Sequence, residues 1–122
     1  MSILKAFNNH LGEFIDDIIV VFPHDIQLKS AQLFSKQVIK AKPSSIIGMW
    51  KSDINNKYKD EIEKGNYDFF INKDYSGTTE NYDGPIKKIQ VKIAIMSEEN
   101  KVKAMKYVQN LTKLCNLYFI NK

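Results

Sequence analysis

The sequence predicts an all-α fold: a single compact bundle of about four to five helices formed by residues 1–122. Three observations predict it. Apolar residues recur at three- and four-residue spacing in long segments, as on one face of an α-helix. Residues that start and stop helices stand at the ends of those segments. Strand candidates are few, and a lone strand has no neighbour to complete a sheet.

In the first segment Leu4, Phe7, Leu11, Phe14, Ile15, Ile18 and Phe22 share a face, and Pro23 ends the helix because it cannot continue the backbone ladder. Asp25 is the expected N-cap of a second helix reaching about Ala41. That helix is expected to bury Leu28, Ala31, Phe34, Val38 and Ile39 and to show Lys29, Lys36 and Lys40 to water. Pro43-Ser44-Ser45 opens a third helix, proline being tolerated in a first turn. Its buried stripe would be Ile47, Trp50, Ile54, Tyr58 and Ile62, and Gly65 stops it.

The stretch "YDFFINKDYSG", residues 67–77, then places Tyr67, Phe69, Phe70 and Tyr75 among Asp68, Asn72, Lys73 and Asp74. One reading is an ordered connector whose aromatics plug the bundle, with Phe69, Phe70 and Ile71 buried against Trp50 and the last helix. The other is a ligand or partner-docking surface, since aromatics beside charges suit interfaces. Residues 76–84 carry two glycines and several turn formers and read as the most mobile segment. After Pro85, Val91, Ile93 and Ile95 alternate as in a strand, whereas Ile86, Ile89, Ile93 and Met96 keep helical spacing; helix is the expectation. Ser97 caps the last helix, Glu98 and Glu99 favour its N-terminal dipole, and the run reaches about Phe119. Its stripe is Ala104, Tyr107, Val108, Leu111, Leu114, Cys115 and Tyr118.

With 43% hydrophobic and 26% charged residues, the chain reads as an ordinary globular domain. Its longest apolar run, Ile18 to Pro23, is far below the roughly 20 residues of a membrane helix. Asn8, Asn9, His10 and Glu13 stand where a signal peptide keeps an apolar region, so secretion is not expected. The single Cys115 excludes an internal disulfide and suits a reducing compartment. The Asn110-Leu111-Thr112 glycosylation match is then idle.

The net charge of +4 divides into +1 over residues 1–42, −3 over 43–83 and +6 over 84–122. Every basic residue is Lys. Without the planar fork of Arg, a basic tail is weaker evidence for nucleic-acid binding. Lys87, Lys88, Lys92, Lys103, Lys106 and Lys113 nevertheless form the candidate phosphate-tracking set, with Tyr82 or Tyr107 as stacking rings. A solvated helical face explains the same lysines.

Catalytic, cofactor-binding and metal-ligating residues are not expected. His10, His24 and Cys115 are distant in sequence and match no ligand spacing, and Cys115 falls on an apolar stripe that suits a small buried residue. The five glycines are scattered and form no phosphate loop. Asp16-Asp17 reads as the solvated side of the first helix.

The strings "FPHDIQLKSAQ", "AKPSSIIGMWK", "IEKGNYDFFINKDYS" and "SEENKVKAMKYVQNLTKL", in that order, resemble a family of small uncharacterised proteins of large DNA viruses of algae and protists, the phycodnavirus and mimivirus relatives. The resemblance covers nearly the whole chain, and the Phe-Phe-Ile run followed by Lys-Asp-Tyr is its most specific part. It implies a helical segment after residue 84 and no functional residues, because the family has no established activity. The family usually has Asn-Pro where this chain has Lys42-Pro43, which implies different capping of the third helix. The lack of Arg and the abundance of Asn and Ile suit an AT-rich genome of this kind.

The expectation is therefore a non-enzymatic viral protein that works through protein–protein contacts, as a virion component or an accessory of the virus factory in the cytoplasm of the infected host cell. The alternative is a nucleic-acid-associated protein using the lysine-rich C-terminal helices.

Overall fold

The computed structural model describes residues 2–66 and 85–120, with side chains in the latter from 89 onward. The described residues form six α-helices and one π-helical turn, with no strand among them. The fold is all-α. The aromatic connector, including Tyr67, Phe69, Phe70 and Tyr75, lies outside the described residues, as does the segment 76–84.

Helix α1 (Ile3–Val21) is capped by Ser2, whose hydroxyl accepts from the Lys5 amide at 3.0 Å, and ends at Phe22 before Pro23. Asp25 caps α2 (Ile26–Ala41) by accepting from the Leu28 amide at 3.0 Å. Ser44 precedes α3 (Ser45–Trp50) without a side-chain cap bond. The expected long third helix is divided here. Lys51–Asn55 forms a π-turn, closed by the Asn56 amide on the Lys51 carbonyl at 2.8 Å, and α4 (Lys59–Glu63) is a separate short piece. The extra residue in the turn advances the face, so Ile47, Trp50 and Ile54 are buried as expected while Tyr58 and Ile62 are half-buried.

Gly65 stops α4 as expected. Its φ of +74° is left-handed, and the Asn66 amide reaches Glu61 O while the Gly65 amide reaches Ile62 O, the two bonds of a Schellman cap. The ambiguous segment is helical: α5 (Pro85–Ala94) buries Ile89 and Ile93 and leaves Val91 exposed, as is Ile95 in the turn that follows. A strand would have put Val91, Ile93 and Ile95 on one face. Helix α6 (Glu98–Ile120) starts at Ser97, whose hydroxyl accepts from the Asn100 amide at 3.3 Å.

Helix α1 packs most extensively against α6, while α2 lies on α5 and α1. Phe7, Leu11, Phe14, Ile15 and Ile18 form the central stripe, and Trp50 is fully buried edge-on to Phe7 at 5.9 Å. Each such apolar side chain removed from water stabilises the fold by about 1.5–3 kcal/mol. The polar indole edge of Trp50 is satisfied, donating to Thr112 Oγ1 of α6 at 3.3 Å. Beside it the π-turn aims Asn55 at α6, where its amide donates to Asn116 Oδ1 at 2.8 Å. The polar cluster fixes α3 and the turn against the last helix.

Candidate functional site

Among the described side chains, Lys92 is set apart from Lys103, Lys106 and Lys113. Lys103, Lys106 and Lys113 are exposed and share the outward side of α6 by their spacing, interleaved with exposed Val102 and Leu117. Lys92 is turned to an internal task. It pairs with Asp25 of the α2 cap and lies over the Phe22 ring at 5.8 Å, joining α5 to the α1–α2 turn. Its ammonium, with the Leu28 amide, holds the Asp25 carboxyl below its ordinary range. The side chains of Lys87 and Lys88 lie outside the described part.

Tyr107 is likewise not free to stack on a base. Its ring stacks on Phe14 at 5.0 Å and lies against His10 at 4.8 Å, and its hydroxyl donates to the Asp17 carboxylate. That bond, partial burial and the negative charges of Asp17, Glu13 and Asp16 push the phenol up to about 12. Asp16 and Asp17 are not merely solvated. Asp17 is bound to α6, and Asp16 accepts from Gln32 of α2. Consecutive helix positions point about 100° apart, which lets neighbouring carboxylates reach opposite flanks.

Helix α2 departs most from expectation. Its buried face is Leu28, Ala31 and Ser35, with Val38 and Ile39 half-buried, whereas Phe34 is 50% exposed. Phe34 falls just off this face and Ser35 takes the inward place. Ile26 (79% exposed) and Leu33 (59%) recur with Ser30 and Gln37 at four- and three-residue spacing on the outward side. This outward stripe contains no charge, and Lys29, Lys36 and Lys40 run along one edge of it. The signal was present in the sequence, because Ile26 and Leu33 lie opposite Leu28 and Ala31 on a helical projection while Phe34 falls at the margin.

The groups with chemical reactivity stay apart. Cys115 is fully buried, its thiol donating to Ile47 O at 3.5 Å, and burial pushes its pKa up to about 11. It is a protonated thiol at neutral pH. His10 lies on α1 with Nδ1 3.5 Å from the Glu13 carboxylate, while His24 is exposed in the turn after α1. Among the described residues no cluster of three or more His, Cys, Asp or Glu is placed to hold a metal ion, and no helix is long and apolar enough to cross a membrane. No protein-family model, curated protein or solved structure matches the chain.

Proposed function

We propose that this chain is a non-enzymatic viral protein that acts by binding another protein, in the virion or in the virus factory of an infected cell. The observation that carries the reading is the uncharged outward stripe of α2, where Ile26 and Leu33 stand in solvent, with half-exposed Phe34 along its margin. Large apolar side chains gathered on one face are characteristic of association surfaces, whereas scattered single ones are not. The lysine edge beside the stripe selects a partner with an apolar strip bordered by carboxylates. The viral setting rests on the resemblance of the sequence strings.

The double variant Leu33→Glu/Phe34→Glu changes exposed positions and should keep the native helical spectrum and melting temperature. Affinity capture from infected cells, read by mass spectrometry, should recover a protein with wild type and lose it with the variant. Purified particles analysed in the same way separate a packaged role from a virus-factory one. Retention of every captured protein by the variant would sink the reading.

A nucleic-acid role has one observation in its favour, the exposed Lys103, Lys106 and Lys113 on a single face of α6. It requires retention on DNA or RNA that falls steeply with salt and disappears when all three become Glu. Unchanged retention in that triple variant, or none at low salt, removes it.

A further inference from the structure

Between α1 and α2 runs an open groove of about 530 Å³, within the size range of ligand-binding clefts. Leu11, Ile15 and Ile39 give it apolar walls. Gly12 leaves the α1 side bare, since a Cβ there would meet nothing within 4 Å. The Gln32–Asp16 hydrogen bond spans the groove at the end nearer the α1–α2 turn.

Two residues lining this groove hold buried polar atoms with no partner among the described residues, Asn8 Oδ1 and Ser35 Oγ. The Pro43 carbonyl can only accept, so the Asn8 atom 2.9 Å from it is the amide nitrogen. That leaves Asn8 Oδ1 as an unused acceptor. Ser35 is 3% exposed, and its hydroxyl does not make the bond to the preceding turn that helical serines commonly form. Native proteins rarely leave buried polar atoms unpaired. On the α2 rim Lys36 and Lys40 have no ion pair among the described residues, while the α1 rim carries Glu13 and Asp16, so an acidic ligand residue is favoured on the α2 side alone.

We infer that this groove takes an extended peptide segment of a partner protein, one carrying an apolar side chain followed by an acidic residue. A peptide bond brings one N–H and one C=O. Both atoms are buried, so entry of the peptide turns the two side chains toward the groove. There the N–H satisfies Asn8 Oδ1, and the C=O accepts from the Ser35 hydroxyl, which nothing among the described residues holds in another direction. The apolar side chain covers Gly12 between Leu11, Ile15 and Ile39, and the carboxylate meets Lys36 and Lys40. These lysines form the ridge between the groove and the outward stripe of α2. The inference rests on the protein-contact reading and adds a second binding element, on the other flank of the same helix.

The test is titration of the ¹⁵N-labelled protein with an acetylated, amidated Leu-Glu-Leu-Glu tetrapeptide, followed by NMR. Saturable shifts are expected at Asn8, Gly12, Ser35 and Ile39, with the Leu-Gln-Leu-Gln analogue binding about tenfold more weakly. Gly12→Leu should fill the groove and abolish the response, and Ser35→Ala should weaken it, each with native amide dispersion retained. The Leu33→Glu/Phe34→Glu variant should take up the peptide normally, so failure of the groove and failure of the outward stripe are distinguishable. Shifts that are absent, scattered over the surface or unaltered in Gly12→Leu would overturn the inference. A stronger response at the same residues to octanoate would overturn it in favour of a lipid-like ligand.

Discussion

Helix α1 packs chiefly against α6 and α2, and it meets them in different ways. Toward α6 the interface is closed around Phe14, which is buried and stacks on Tyr107 while Asp17 accepts the phenol hydroxyl, and clefts of about 260 and 530 Å³ lie to either side. Toward α2 it is open. A groove of about 530 Å³ remains, Gly12 contributes no side chain, and two buried polar atoms lack partners among the described residues. The contrast separates the part of the molecule that holds the fold from the part with capacity to spare. Around Phe14 the closed flank is filled by ring packing and the phenol bond, with His10 Nε2 beside it lacking a partner among the described residues. The open flank leaves both Asn8 Oδ1 and Ser35 Oγ unmet.

Substitutions on the two flanks should therefore behave oppositely. Phe14→Ala, on the closed flank, should cost about 3–5 kcal/mol in urea denaturation, the usual range for a buried phenylalanine. A domain of this size holds only about 5–15 kcal/mol in total, so the loss should also show as faster labelling of buried Cys115 by a thiol reagent. A cost below about 1 kcal/mol, where surface substitutions fall, would break the comparison at its strongest point.

Tyr107→Phe keeps the ring stack and removes only the bond to Asp17. A net hydrogen bond at such a partly solvated site contributes about 1 kcal/mol. The folded phenol is raised from 10 to about 12. The contribution is therefore complete below pH 10 and is lost as pH rises through 12. Urea midpoints of wild type and variant should differ at pH 8 and converge above pH 12. A constant difference would detach the stability from the Asp17 bond.

On the open flank the expected signs reverse. Gly12→Ala should stabilise by roughly 0.5–1 kcal/mol, because alanine restricts the unfolded chain and meets no atom in the groove. Destabilisation there would mean that the groove is narrower than described. Smallest of all, Ser35→Ala should leave stability within about 0.5 kcal/mol of wild type, since no hydrogen bond is lost with the hydroxyl. A loss as large as that of Tyr107→Phe would show that the Ser35 hydroxyl is already satisfied and would close the gap between the flanks.

Much of the architecture was legible because local chemistry and burial agreed. The α1 stripe, the Asp25 cap, the Gly65 stop and the Ser97 start are all residues whose preferred conformation matches the place where the chain needs it. The candidate site was far less legible. Lys92 looked equivalent to Lys103 in sequence, yet Asp25, 67 positions earlier, turns one into an internal strut and leaves the other in water. Phe34 looked like core because it is large and apolar. Which side of α2 meets α1 was decided by the whole set from Leu28 to Ile39, and that side holds Ser35.

By itself, the sequence determined the all-α class, most helix ends and the inward faces of α1, α5 and α6, since spacing, caps and breakers act over a few residues. Tertiary structure decided the π-turn at Lys51–Asn55, the opposite pairings of Asp16 and Asp17, and the groove over Gly12. Those features depend on groups brought together from distant parts of the chain. Asn55 reaches Asn116 across 61 positions, and no local preference of either residue encodes that meeting.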